Sequence, residues 1–584
     1  MKKTVFTFLV TGLLISGLKA QTIQEGKTHF YAQRYNSARA VFDKILAANP
    51  NNIDAIYWLG QTLLETEEIA GARRTAARQL YEKGLQTSAN APLLLVGMGH
   101  VELLENKNNE ARQRFETALT MTRTRKGDDP VILTAIGRAN VNAKNGDFNY
   151  AIQKLTAAVD KGEKNAEMFL ELGNAYRKAK PGEGGGDAYK SYHKALEIDP
   201  KFAPASLRLA QLFQSQQNSD LVLQYLNEAV AKDPKFTAGY YELFYYYFYR
   251  LKLPEAEAQL NKYIDSKLPE KDIADEYLYA QLCWQKKDFD CAVTKAESVV
   301  ASLGANTKPK VYRLLGDAYF QKKDYTNAKK YSDEFFAKKN PDDINSFDYK
   351  LKADILAQTG GDPDEILNTY LQGAVLDTVL TSRIDFLKQG AESFKAKGDS
   401  ISFLKEGDLR VAILKLKTEP SQRDYFDAGY AYYLGSAYPA ADSFFAIISA
   451  KYPDDIYGPQ MQFAIARLID TTMEKGLAVP HGIRYLSILE KDTAKNKKAI
   501  LSTAGYLAQY YANIEKDNAK AIEYFKKMLS FNPENADVLQ KYIDQLSKTA
   551  GNKPSTTPKG TPPPKKVNKS VTKLPGAHAN ARVG

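Results

Sequence analysis

The sequence predicts an all-α solenoid of stacked antiparallel helix pairs, and three observations carry that prediction. EIDPKF, around Pro200, returns as AKDPKF around Pro234, 34 residues later. A fixed period of about 20–50 residues marks a stacked repeat array. Within one period small and large residues hold set places: Gly173, Tyr176, Ala188, Tyr192 and Ala195 precede Pro200. The chain has 584 residues, too many for one compact core, so it is several domains or an array.

The first element is an export signal. Lys2 and Lys3 precede an apolar run from Val5 to Leu18, and Ala20 stands before the polar sequence that begins at Gln21. That order predicts a secretory signal peptide over 1–20. The run is too short for a spanning helix, which needs about 20 apolar residues. Leu18, three residues before the cut, is larger than the usual residue there. No cysteine follows the junction to carry a lipid anchor, and no later stretch approaches spanning length. The mature chain is therefore expected to be soluble and exported, without a transmembrane segment. The LKAQ junction and the many Lys, Asn and Tyr residues suggest a Gram-negative bacterium, so the expected location of the exported chain is the periplasm or outer-membrane periphery.

The body repeats from residue 21 onward. Gly26, Ala38, Phe42 and Pro50 fit the first copy without gaps, and Leu59–Gly60, Ala77 and Tyr81 the second. Gly99, Ala111, Phe115 and Ala118 mark the third copy, and Gly137, Ala151 and Ala158 the fourth. The copy around Gly173 has three residues inserted between its helices. Leu315–Gly316, Tyr319 and Ala328 mark a later copy; Gly429, Tyr432, Ala441, Phe445 and Pro453 fit another; Ala521, Phe525 and Pro533 close the last. About fourteen helix pairs are expected between 21 and 550. The organisation reads as an N-terminal array over 21–341, degenerate helical repeats over 342–420, and C-terminal repeats over 421–550. A second degenerate window covers 454–500. An amphipathic helix over 535–549, with Val538, Leu539, Tyr542, Ile543 and Leu546 at helical spacing, caps the end.

The spacing has a physical cause. Small residues at positions 8, 20 and 27 let two helices approach, and large ones at 4, 7, 11 and 24 fill the space between. The closing proline ends the second helix, which it cannot continue. This pattern resembles the tetratricopeptide repeat, in an exported bacterial, Bacteroidota-like type. The resemblance implies a right-handed superhelical solenoid. It also implies that positions 2, 5, 9, 12 and 13 of each first helix line a concave groove that binds protein or peptide partners.

Charge separates the ends from the body. The net charge is +11, but the three lysines of 1–20 and the seven basic residues of 551–584 carry all but one unit of it. A body so near neutral has no net field for a polyphosphate, so nucleic acid is not expected as a partner. Six prolines among residues 551–584 predict a disordered tail. Such a tail could tether anionic envelope polymers or lipid, or could simply keep the chain soluble.

Catalytic signatures are missing. The loop PGEGGGDAYKS at 181–191 lacks the Gly-Lys-Ser/Thr ending and preceding strand of a phosphate-binding loop, and reads as an interhelical linker. His29, His100, His193, His481 and His578 lie in different repeats or the tail, with no metal-ligand spacing. No nucleophile motif occurs. The pairs Asp342–Asp343 and Asp454–Asp455 follow repeat-ending prolines, where they suit the start of the next helix. Neither an enzyme nor a cofactor is expected. The family's carboxylate clamp is also unsupported, since Asn174 matches one of its positions but Leu170 stands where a basic residue is needed.

Two features remain. Cys283 and Cys291, the only cysteines, fall on facing helices of one pair, where an oxidising compartment would allow a disulfide. Residues 240–249 read YYELFYYYFY. The resemblance places Tyr241, Tyr245, Phe248 and Tyr249 in the groove, with Tyr277 and Trp284 in the next repeat and Phe426, Tyr430 and Tyr433 in a later one. Tyr240, Leu243 and Tyr247 suffice for internal packing, and Phe244 at the small position 8 is expected to push its helices apart. Exposed rings are favoured binding anchors. The function expected is a periplasmic or envelope scaffold for protein or peptide partners. The alternatives are a glycan-binding accessory, or a subunit of a secretion or outer-membrane assembly machine.

Overall fold

The computed structural model describes residues 22–65, 70–161, 165–268, 272–340 and 343–550. The predicted signal peptide and tail lie outside them. The described residues are helices joined by short turns, without a strand; one isolated bridge, Thr124 to Gly127, closes a turn.

The chain divides into two compact units, with the boundary between Ile344 and Asn345. Among the described residues the first unit holds nine helix pairs, from Ile23–Tyr31 with Tyr35–Ala48 to Pro309–Gln321 with Tyr325–Lys338. The second holds five pairs, from Ser346–Gln358 with Pro363–Val375 to Thr493–Asn513 with Asn518–Phe531, followed by the helix Ala536–Ala550. The degenerate windows thus contain helix pairs like the rest. Within each unit each helix packs on its neighbours in sequence, and the first (A) helices of pairs one to five also touch the A helix of the next pair.

Local chemistry sets the boundaries. Most A helices run into the second (B) helix through a short turn that contains a residue with a left-handed backbone, such as Asn106 (φ 62), Lys287 (φ 62) and Lys323 (φ 61), each the middle of three. The N–H of Asp288 then reaches back to the carbonyl of Cys283, and that of Asp324 to Tyr319, which satisfies carbonyls left open by the ending helix. The same two aspartates cap the next helix, accepting from the N–H of Cys291 and Asn327. At the far end of the pair, Asp199 and Asp233 accept from Lys201 and Lys235 across the Asp-Pro-Lys turns.

Packing inside each pair depends on size. A β-carbon at Gly26, Gly60, Gly99 or Gly173 would collide with the ring of Phe42, Tyr81, Phe115 or Tyr192. At Gly316 it would lie 3.3 Å from the backbone nitrogen of Ser332, so there the two helices meet backbone to backbone. The seventh pair reverses the bulk. Phe244 occupies position 8, but Leu260 replaces the aromatic residue of the B helix, and both are fully buried. The expected separation of helices is corrected by this exchange of volume.

The terminal helix buries Leu539 and Ile543 and leaves Val538 and Tyr542 half exposed, with Tyr542 stacked on Phe525 at 5.6 Å. Of the paired carboxylates, Asp455 caps the next helix by accepting from Tyr457 at 2.8 Å, and Asp454 pairs with Lys491.

Gly173→Ala tests the size rule. It should cost about 1–3 kcal/mol by overpacking against Tyr192, whereas Gly186→Ala, with nothing within 4 Å of its new carbon, should leave the urea midpoint unchanged.

Candidate functional site

In the first five pairs groove positions 5, 9 and 12 are buried or half-buried. Arg138, at position 9 of the fourth pair, is 3% exposed. Its guanidinium donates to Glu171 at 3.0 Å and to the Tyr31 hydroxyl at 2.9 Å. It also pairs with Glu167 at 3.4 Å and lies over the Trp58 ring at 4.5 Å. Lys27 pairs with Glu167 as well. Helices of the first, second, fourth and fifth pairs thereby converge on one charge. Tyr31 also meets Phe202 of the sixth pair, ring centres 5.9 Å apart. This groove is filled by its own side chains.

A second buried chain of hydrogen bonds lies alongside. The Tyr81 hydroxyl donates to the Tyr57 carbonyl at 2.9 Å and accepts from Gln61 Nε2 at 3.0 Å. The Gln61 oxygen therefore faces His100 Nδ1, 3.0 Å away, and that nitrogen carries the proton. Burial and the Arg138 charge lower the His100 pKa to about 4. Beside the filled groove remains a cavity of about 80 Å³, lined in part by Glu65, Asn142, Glu171 and Arg208. Sequence reasoning missed this network, because its polar members are scattered over some 150 residues with no shared motif.

The aromatic segment of the seventh pair is mostly packed. Phe248 is buried against Phe244 and the cluster formed with Leu278 and Leu282 of the next pair. Tyr277 is also buried, with Lys310 over its ring at 4.7 Å, and burial pushes its pKa up to about 12. These two are corrected from groove residues to core, because the next A helix covers them. Tyr241, Tyr245 and Trp284 are half-buried. Tyr245 donates to Gln281 at 3.0 Å, and burial raises its pKa well above the ordinary range. Tyr249 is bare, at 74% exposure.

The open aromatic surface is in the second unit. On the helix Gln422–Leu434, Phe426, Tyr430 and Tyr433 form a stacked ladder with ring centres 5.6 and 5.9 Å apart. Tyr457 meets Phe426 edge-on at 5.7 Å. Tyr430 and Tyr457 are 40% and 51% exposed. Phe426 and Tyr430 line a cavity of about 200 Å³ together with Arg410, Arg423 and Asp427. Arg410 is held between Glu392 and Glu406, and Arg423 pairs with Asp427 at 2.7 Å. The ring surface is thus bordered by fixed charges of both signs.

A tetratricopeptide repeat family profile matches residues 29–78, and a second of the same description matches residues 309–335. The chain is a tetratricopeptide repeat protein. Among solved structures it is similar to the C-terminal part of a TPR repeat-containing protein from Cytophaga hutchinsonii, at 24% identity and a TM-score of 0.26, covering 46% of this chain and 98% of that one. A tetratricopeptide repeat protein from Parabacteroides merdae is similar at 17% identity and a TM-score of 0.36, over 45% and 98% of the two chains. The APC/C hetero-tetramer Cut9–Hcn1 is similar at 14% identity and a TM-score of 0.29, over 89% and 95%.

Tetratricopeptide repeat proteins bind protein or peptide partners, and the fold is generally a non-catalytic scaffold. In this one a disulfide joins Cys283 and Cys291 across the eighth pair, with Cα atoms 5.7 Å apart. Among the described residues no group of His, Cys, Asp and Glu could hold a metal ion, and no helix is long and apolar enough to cross a membrane. Asn174 does not serve as a clamp: it accepts from Tyr192 and donates to Glu171.

Two measurements check these placements. His100 titrates near 4 when folded and near 6.5 when unfolded, so its neutral form stabilises the fold fully above pH 6.5. That contribution, about 3 kcal/mol, is lost as pH falls to about 4. The stability gap between wild type and His100→Gln should therefore narrow over that interval in urea titrations. In the seventh pair, Tyr245→Ala should cost about 2–4 kcal/mol and Tyr249→Ala less than about 0.5 kcal/mol, read from the same titrations.

Proposed function

We propose that this tetratricopeptide repeat protein is a non-catalytic scaffold exported to the periplasm or outer-membrane periphery of a Gram-negative bacterium, where the ladder on Gln422–Leu434 holds a protein or peptide partner. One observation carries the reading: Phe426, Tyr430 and Tyr433 stand at groove positions 5, 9 and 12 of their repeat, and the first two line a cavity. Aromatic anchors combining apolar area with a polar tip are frequent hot spots, and a charged border fixes register. Export is supported by the pattern of residues 1–20 and by the Cys283–Cys291 disulfide, which suits an oxidising compartment.

Peptide is favoured over glycan by the stacking itself. Tyr430 is already stacked with Phe426 and with Tyr433, at interplanar angles of 12° and 22°. Its hydroxyl and edge are then the groups presented outward, rather than a free face for a sugar ring. A place in a secretion or outer-membrane assembly machine is compatible with such a scaffold, and the basic residues of 551–584 would add attraction to anionic envelope polymers.

The test is site-specific photocrosslinking from position 430 in cells, with the same probe at exposed Asp385 as control. A discrete envelope protein captured only from position 430 is expected, on a mature chain beginning near Gln21. Tyr430→Ala should weaken that partner by about 1–2 kcal/mol without lowering the melting temperature. Glycan binding with no crosslinked protein, or a cytosolic chain retaining Met1, would sink the proposal.

A further inference from the structure

The closed groove of the first unit is not filled throughout. The cavity of about 80 Å³ beside the Arg138 network is lined by residues of the first, second, fourth, fifth and sixth pairs. Glu65 and Asn142 reach it from groove position 13 of their helices. Three charged side chains are among its lining residues: Glu65, Glu171 and Arg208. Glu171 is already matched, by Arg138 and by Asn174. Glu65 and Arg208 are not.

Both side chains are half-buried. Glu65 accepts a single hydrogen bond, from Asn142 at 3.0 Å. Arg208 donates to Gln211 at 2.7 Å, and Gln211 is itself held by Glu242 at 3.1 Å. Among the described residues neither charge has an ion-pair partner, and the two do not pair with each other. The other cations near by are engaged elsewhere: Lys27 with Glu167, Lys178 on the Val141 carbonyl and Arg177 on the Gln211 carbonyl. Burial and the Glu171 charge raise the Glu65 pKa, as expected of a carboxylate without a counter-ion. Opposite charges on one small cavity ordinarily close on each other, because an unmatched charge out of water is costly. Here Asn142 tethers one and Gln211 the other, and the two walls stay apart.

We infer that this cavity binds a small zwitterionic α-amino acid of the size of glycine, with its ammonium on Glu65 and its carboxylate on Arg208. A lone cation would match Glu65 and be repelled by Arg208, and a lone anion the reverse. A molecule carrying both signs matches both walls, each through a charge-assisted hydrogen bond. The space equals that of roughly two to three waters in the liquid, at about 30 Å³ each, which admits glycine and excludes a peptide chain. The site is independent of the ladder on Gln422–Leu434.

The experiment titrates the full chain with glycine, acetate and methylamine by calorimetry. Glycine is expected to bind, and acetate and methylamine, which each carry one of the two charges, to bind about ten-fold more weakly or less. Glu65→Gln removes one charge while keeping the acceptor for Asn142, and Arg208→Gln removes the charge on the opposite wall. Each should weaken glycine binding about ten- to hundred-fold. Because neither charge has an ion pair to lose, both variants should keep the urea midpoint of the wild type or raise it, which a structural role would not allow. Unchanged glycine binding in either variant overturns the proposal, as does acetate or methylamine binding as tightly as glycine. Glycine heats no larger than those of dilution, from a cavity that holds water alone, overturn it as well.

Discussion

Every helix pair in this protein depends on how closely two helices can approach at one point. At Gly26, Gly60, Gly99 and Gly173 a ring from the partner helix lies directly against the backbone, as Tyr192 does at Gly173. The fit is one of volume rather than of residue type. The seventh pair keeps it by moving the bulk from the B helix to Phe244 and setting Leu260 opposite. Interiors packed to crystal density tolerate such exchanges better than a net gain or loss of atoms.

Once the pairs are fixed, A helix faces A helix, and the residues on that inner face determine whether a groove stays open. In the first five pairs they close it. Arg138 brings a buried positive charge within reach of Glu167 and Glu171, and two tyrosine hydroxyls complete its shell. A buried charge persists only when so paired and hydrogen-bonded. Removing one partner strands the others, at a cost of several kcal/mol. The network therefore acts as a lock across distant repeats, and it leaves little room for a peptide there.

An open surface is consequently found where the inner face is aromatic and uncovered. The ladder on Gln422–Leu434 meets that condition, with Tyr430 partly open and charges fixed at its border. The segment 240–249 meets it only at Tyr249, since the helix Glu276–Gln285 covers its neighbours. The contrast is between a ring against solvent and a ring against the next repeat, which the same residue type serves equally well.

The sequence by itself determined the repeat and its helical pairs. Those follow from local spacing: small residues where helices touch, and prolines where they end. The helix pairs of 342–420 and 454–500 were harder to read there, because packing accepts many residues once volume is conserved. Only the tertiary structure decided which groove positions are open. Exposure at positions 5, 9 and 12 depends on what neighbouring repeats bring against them. Phe248 and Tyr433 both stand at position 12 of their helices, yet one is covered by Leu278 and Leu282 and the other is only half-buried. Arg138 shows the same limit, since its partners lie up to 107 residues away in the chain and only the winding of the first unit brings them to one point.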